Sequence, residues 1–302
     1  MLNFKKIELS DLPKIRSAVE KTEYKSCQLS VGSLYCLAEK YDTQLCFDGD
    51  FLFVKQVRKE FGTCYFLPIG TGNLAEALQK LQAYNTENYG GNLTLWGIAD
   101  DMVEDFRAAG KPYESAELTS DRDWAEYIHA AQNLLTLQGK RLQPKRNAVN
   151  QFKRNFPDYQ FEKISDENMA EILAFQQQQM AEKDEELDAA LQDENRAIER
   201  TLKDFRTIGL TGGIIRVEGK IRAFAIGSPI NKDSFDILFE KAEKDFNGIY
   251  QVLEQELIKN ELQLFSYINR EEDLGIPGLR FAKQGLQPDI LLMKYTAKLT
   301  AN

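Results

Sequence analysis

Residues 213–240 read GIIRVEGKIRAFAIGSPINKDSFDILFE, and the interpretation of the whole chain starts from this stretch. It contains three runs rich in β-branched and aromatic side chains, at 213–217, 221–227 and 235–240, each of strand length. Glu218-Gly219 separates the first two runs and is typical of a tight hairpin turn. The stretch therefore predicts an antiparallel meander of three strands.

The residues after this meander predict a helix and a further strand. Gly248 precedes a segment whose apolar residues recur at helical spacing, at positions 249, 252, 253, 257 and 258. A strand is expected around 264–268, a short helix at 279–284 and a final strand at 290–295. The order is meander, helix, strand, helix.

The same order occurs about 170 residues earlier, counted from Gly49 to Gly219. Runs at 45–47, 51–57 and 64–68 predict a meander, with Asp48-Gly49 at its first turn. A helix starts after Asn73, a strand follows at 93–97, and a second helix at 102–109. We interpret this as an internal repeat, which predicts an α+β protein with mixed sheets and two closely packed domains, at 1–130 and 131–302.

Composition excludes several classes of protein. The chain has 302 residues, with 43% hydrophobic and 28% charged side chains, which is ordinary for a globular protein. Its formal net charge is −9, so no overall field attracts nucleic acid or an anionic membrane. Apolar runs are only a few residues long, and residues 1–10 lack the apolar core of a signal peptide. We expect a cytoplasmic protein without a transmembrane segment.

Cysteine and histidine usage argues against a metal site. All four cysteines lie within the first 64 residues and form no Cys-x-x-Cys pair, so we expect reduced, buried thiols. The single histidine, His129, excludes a zinc site built on several imidazoles. It follows Trp124 and Tyr127 on what we predict to be a helix, where a packing role is expected. No metal is predicted.

Two sequence motifs indicate membership of a known protein family. Residues 269–280 read NREEDLGIPGLR and are followed by Lys283, Pro288 and Lys294-Tyr295; residues 137–153 read LQGKRLQPKRNAVNQFK. Both resemble the family that includes the C-terminal domain of phosphatidylglycerol lysyltransferase. The repeated unit itself is similar to the GNAT acyltransferase fold. The resemblance implies two tandem GNAT-like domains, with the active cleft in the second.

The resemblance also implies a function. Family members move an amino acid from aminoacyl-tRNA to an amine or hydroxyl acceptor, which would be a small molecule, a peptide or a lipid, and they need no cofactor. One alternative is an N-acetyltransferase that uses acyl-coenzyme A. Another is a ligand-binding GNAT-like protein without turnover, because fold alone does not establish chemistry. The oligomeric state is not predicted.

Acyl transfer needs a base for the acceptor and donors for the oxyanion. Glu240, at a strand end, is a candidate base, and Lys241 beside it a candidate binding residue; an exposed ion pair is the alternative. Tyr250 is a candidate acid or a packing residue. Gly248 would let donor phosphates approach a helix N-terminus. Backbone N–H groups within 224–227 are expected to bind the oxyanion.

A polar run follows the strand predicted at 264–268. Asn269, Arg270, Glu271 and Asp273 are candidate binding residues for an aminoacyl group, although a loop without chemistry is the alternative. Arg280 and Lys283 lie about one helical turn apart on the next predicted helix. Their positive charges would neutralise a carboxylate or a phosphate.

The segment 130–157 contains no acidic residue and six basic ones. Its charges would lie along tRNA phosphates, where each neutralised phosphate adds salt-dependent affinity. They are spread around a helical wheel, so a solvated linker helix is the alternative. From the family motif we select Lys145, Arg146 and Asn147 as candidate nucleic-acid contacts.

Overall fold

The structure, a computed structural model, describes residues 1–181 and 189–300. The described helices are α1 Leu12–Val19, α2 Val31–Cys36, α3 Leu74–Tyr89, α4 Val103–Ala108, α5 Ala131–Thr136, α6 Gln143–Asn155, α7 Asp166–Ala181, α8 Ala189–Lys203, α9 Phe205–Ile208, α10 Ile249–Glu261 and α11 Pro277–Gln284. The strands are β1 Lys5–Lys6, β2 Gln44–Asp48, β3 Phe51–Arg58, β4 Gly62–Tyr65, β5 Ile69–Gly70, β6 Leu93–Ala99, β7 Leu118–Ser120, β8 Glu126–Ala130, β9 Gln160–Lys163, β10 Thr211–Val217, β11 Lys220–Pro229, β12 Ser234–Ala242, β13 Tyr267–Glu272, β14 Ile290–Leu292 and β15 Lys294–Leu299. In this part of the chain, no helix has both the length and the apolar character needed to cross a bilayer.

The strands form two mixed sheets. The first has the order β1-β2-β3-β4-β6-β15-β7, with β5 paired to β3, and the second has the order β14-β8-β13-β12-β11-β10-β9. Neighbours are antiparallel except β4 with β6 and β12 with β13, which run parallel. Both parallel pairs are joined through a helix, α3 and α10 respectively, as a parallel connection requires. The predicted repeat of meander, helix and strand is thus confirmed.

The two sheets exchange strands. β8 precedes residue 131 but lies in the second sheet between β13 and β14, while β15 ends the chain but lies in the first sheet between β6 and β7. The chain therefore crosses between the sheets twice. The division at residue 130 stays a prediction, and the sheets themselves do not follow it.

Buried apolar residues from both halves form one continuous core. Leu52 and Leu95 of the first sheet belong to the same cluster as Ile214 and Phe224 of the second. Gly32 in α2 lies where a Cβ would come within 2.8 Å of the Ser228 side chain, so a larger residue would push α2 away from β11. Close packing of the two halves, as predicted, follows from this shared core.

Three local predictions are wrong. His129 lies in strand β8, not on a helix, and is fully buried, and neither ring nitrogen has a hydrogen-bond partner among the described residues. Burial lowers its pKa to about 3, so the ring is neutral. The strand predicted at 264–268 is β13, so Asn269 and Arg270 belong to a strand and do not follow one. The single final strand is two, because the chain leaves one sheet for the other at Met293.

Candidate active site

A cavity of about 490 Å³ lies between the two halves, and both contribute to its wall. The sequence predicts the active cleft in the second half, and this stays a prediction; the cavity itself is bordered by both halves. From the first sheet, Trp96 lies in β6 and Phe66 directly follows β4, the strand parallel to β6. From the second sheet, Phe239 lies in β12 and Glu271 in the parallel strand β13. The repeat thus brings two equivalent regions to face one space.

The parallel pair of the second sheet separates beside this cavity. β12 and β13 pair only from Ser234 to Asp236, and beyond that point the strands no longer share a register. On the other side of β12, Phe239 pairs with Ile226 and Ile237 pairs with Gly227, so Leu238 is an extra residue in a β-bulge. Leu238 lines the cavity. The bulge at Leu238 is therefore the position beside the cavity where the pairing of β11 with β12 shifts register.

A buried ion cluster holds the crossing strands together. Lys294, the first residue of β15, lies 2.8 Å from Glu126, the first residue of β8, and also contacts Glu272. Asn269 donates to Glu126 Oε2 at 2.6 Å and to the backbone oxygen of Lys25 at 2.8 Å. Burial opposes the charge on Lys294, but Glu126 and Glu272 raise its pKa above the ordinary value. Asn269 therefore has a structural role, because it holds the Glu126 carboxylate of this cluster in place.

Glu271 is the predicted site residue that lines the cavity. It is half-buried and has φ +57°, in the left-handed region that costs a non-glycine residue about 1–3 kcal/mol. Its backbone N–H donates to Asn269 Oδ1 at 2.8 Å, which helps to hold this conformation. Burial and the neighbouring Glu272 carboxylate raise the pKa of Glu271 to about 8, although Lys283 opposes the shift. Such a carboxyl is poised to exchange a proton near neutral pH.

Two further acidic groups lie against Glu271. Ligand atoms of Cys27, Asp236 and Glu271 lie within 4.8 Å of one another. Burial is the main cause that raises the pKa of both Cys27 and Asp236. Because metal ligands must be deprotonated, the raised pKa values of these three groups disfavour a metal. The arrangement fits proton transfer better, and the raised pKa of Cys27 argues against a thiolate nucleophile.

Arg270, Glu240 and Glu254 form a second buried cluster. Arg270 pairs with Glu240 and lies 2.8 Å from Glu254, and all three side chains are at most 13% exposed. Burial opposes its charge, but Glu254 and Glu240 raise the pKa of Arg270. Burial also raises the pKa of Tyr250, on the first turn of α10. Glu240, Arg270 and Tyr250 thus lie close together, but none of them lines the cavity. Lys241 does not line it either, but its ammonium group lies 2.8 Å from Glu194, which does.

Asp273, Arg280 and Lys283 fasten α11 to the end of β13. Buried Asp273 accepts a hydrogen bond from Tyr127 at 2.6 Å and pairs with Arg280 at 2.7 Å. Burial alone would raise the pKa of Asp273, but these contacts outweigh burial and lower it. Lys283 Nζ donates to the backbone oxygens of Arg270 and Glu272, both at 2.5 Å. These side chains have partners within the protein, so they fix the backbone on either side of Glu271.

The start of α10 is closed by α6. A Cβ on Gly248 would lie 2.5 Å from the backbone oxygen of Ala148, so the missing side chain accommodates α6 and not a ligand. Arg146 donates to the backbone oxygens of Leu137 and Gly139 and holds the turn before α6. Lys145 is half-buried and Asn147 is exposed. The three candidate nucleic-acid residues thus share a helix but not a common environment.

Comparison with known proteins places the chain in a family. The sequence model described as "Phosphatidylglycerol lysyltransferase, C-terminal" matches residues 20–298. A search of curated proteins found no match. A conserved protein of unknown function from Bacteroides thetaiotaomicron has 36% sequence identity and a TM-score of 0.90, covering 99% of this chain and 100% of its own.

Two more distant structures share the fold. L-PGS from Bacillus licheniformis has 16% identity and a TM-score of 0.63, covering 94% of this chain and 90% of its own. FemX has 10% identity and a TM-score of 0.62, covering 99% of this chain and 98% of its own. Because the family model matches most of the chain and the repeated fold agrees with it, the chain belongs to the phosphatidylglycerol lysyltransferase C-terminal family and is a GNAT-like acyltransferase domain.

Proposed function

We propose that the chain transfers an aminoacyl group from aminoacyl-tRNA to an amine or hydroxyl acceptor, in the cavity between its two halves. The observation that carries the proposal is Glu271, a half-buried carboxyl at the cavity wall with a pKa of about 8. Its carboxylate makes no hydrogen bond or ion pair with the described residues. It is therefore available to a substrate.

The reaction follows from this geometry. Glu271 removes a proton from the acceptor as its nitrogen or oxygen attacks the ester carbonyl carbon. The tetrahedral oxyanion is stabilised by a backbone N–H at the Leu238 bulge. The ester C–O bond then breaks, and the protonated Glu271 returns its proton to the departing ribose hydroxyl. The proton of the acceptor thus passes through Glu271 to the leaving hydroxyl, and the proposed steps use no metal.

The charge of the cavity favours an aminoacyl donor. The second half supplies four acidic side chains to the wall; Asp193, Glu194 and Glu272 are paired with Arg196, Lys241 and Lys294, and Glu271 has no such partner among the described residues. An aminoacyl ester carries an ammonium group next to the reacting carbonyl, and the carboxyl oxygens of this wall can accept hydrogen bonds from it. Acetyl-coenzyme A has no such cation, and the start of α10, where its phosphates would bind, faces the backbone of Ala148. For both reasons we favour aminoacyl-tRNA over acyl-coenzyme A.

The tRNA would reach the cavity past the basic segment before and within α6. Exposed cations there include Lys140, Arg141 and Arg154. Lys145 and Asn147 are further candidate contacts, whereas Arg146 supports the turn. Binding through phosphates predicts affinity that falls steeply with salt.

Labelled aminoacyl-tRNA and labelled acetyl-coenzyme A, offered with a panel of lipid, peptide and small-molecule acceptors, test the proposal. We expect consumption of the aminoacyl ester and at least a hundredfold loss in Glu271→Gln, since general bases contribute about 10²–10⁴-fold. Glu218→Gln is a matched control, because Glu218 also has a positive φ, of 52°, but is exposed at a hairpin turn. Consumption of acetyl-coenzyme A alone, or equal rates in wild type and Glu271→Gln, would contradict the proposal.

A further inference from the structure

Arg58 is a buried cation without an acidic partner. It is the last residue of β3, is 7% exposed and lines the cavity. Its Nε donates to Gln56 Oε1 at 3.1 Å. Among the described residues, no carboxylate lies within ion-pair distance of it, and its two terminal nitrogens have no acceptor. A buried guanidinium is normally paired, so this one is incomplete without a ligand.

Aromatic rings fix the orientation of Arg58. Its Cζ lies 3.4 Å from the centre of the Trp96 ring and 4.1 Å from that of Tyr41, with Trp124 at 5.8 Å. Rings against the faces of a guanidinium leave its edge free, and that edge matches the two oxygens of a carboxylate or phosphate. The Arg58 guanidinium is therefore preorganised for a planar, bidentate contact.

The rest of the wall supports an anion at this end. The four carboxylates of the cavity all belong to the second half, whereas its two cations, Lys40 and Arg58, belong to the first. The cavity is thus bipolar, with an anion-binding end and an acidic end.

We infer that Arg58 binds an oxyanion, a carboxylate or a phosphate, carried by the acceptor substrate. The assignment to the acceptor rests on the proposed function, because the carboxyl group of an aminoacyl ester is esterified and uncharged, and the phosphates of the tRNA are proposed to bind at the basic segment before and within α6. The apolar part of the acceptor would lie along Trp96, Trp124 and Phe66, and its nucleophile would point towards Glu271.

The test is a binding measurement that needs no donor and no turnover. Trp96 and Trp124 are the only tryptophans of the chain, and both line the cavity, so intrinsic fluorescence reports occupancy directly. The probes are benzoate, phenyl phosphate and the neutral isostere benzamide. We expect one of the two anions to bind at least tenfold more tightly than benzamide, and which one binds better distinguishes a carboxylate from a phosphate acceptor.

Variants complete the test. Arg58→Gln is expected to weaken anion binding at least tenfold and to leave benzamide binding unchanged, and Arg58→Lys to retain part of the affinity. Arg222→Gln is the control, since Arg222 lies 5.0 Å from the Phe246 ring but outside the cavity. Wild-type protein that binds the anions no better than benzamide overturns the inference, even if no variant folds. Anion binding by a protein that transfers no acyl group would contradict the proposed function and leave the Arg58 site standing.

Discussion

Replacement of Glu271 by glutamine should stabilise the protein, and more so at higher pH. The pKa of about 8 compares with 4.5 for an ordinary glutamate, so the folded state keeps a proton that the unfolded chain has lost between these values. Stability must then fall as the pH rises through this window, because the folded state binds more protons. One pH unit corresponds to about 1.4 kcal/mol. From pH 5 to pH 8 the penalty therefore grows by about 3.5 kcal/mol.

Urea unfolding of wild type and Glu271→Gln at pH 5, 6, 7 and 8 measures this penalty. We expect the free energy of unfolding of the variant, relative to wild type, to rise with pH by about 3–4 kcal/mol over the range. Glu218→Gln, on the exposed turn, makes the same chemical change and should show no such trend. A pH-independent difference between wild type and Glu271→Gln would refute the description of Glu271 as a carboxyl that burial holds protonated.

Two further predictions concern the exchanged strands. Lys294→Met leaves the buried Glu126 and Glu272 carboxylates without their cation and should cost about 3–5 kcal/mol in urea unfolding, whereas Lys298→Met, on the exposed side of β15, should cost less than 1 kcal/mol. Equal effects would contradict the ion cluster. A chain that ends at Met293 lacks β15, which separates β6 from β7, and should lose cooperative thermal unfolding of both halves, while a chain that ends at Thr300 should keep it. Cooperative unfolding of the shorter chain would show that the exchange is dispensable.

The repeat could be read from the sequence because its signals are local. Glycine at 49 and 219 marks the two hairpin turns, with φ of +57° and +75°, and strand periodicity marks the runs on either side. The helices after each meander follow from their apolar spacing. The family motif at 269–280 includes Glu271, which lies at the cavity wall, and its role in the site stays a prediction.

The partner of a strand is not a local property, which is why the exchange was missed. Nothing in the composition of β8 or β15 says which sheet receives it, and the helix predicted around His129 is in fact strand β8. Asp273 and Arg280 were predicted as binding residues because the sequence shows charges but not that they pair with each other. Arg58 did carry a signal: it shares a strand face with Leu52 and Val54, both buried.

The pH dependence of kcat/KM for aminoacyl transfer tests the central claim, that Glu271 is the base in a cavity shared by both halves. The account predicts that the wild-type rate rises with pH and levels off above about pH 8, as the carboxyl loses its proton. In Glu271→Gln the residual rate should lack this limb. The same limb, with the same apparent pKa, in the variant would contradict the account and assign the proton transfer to another group.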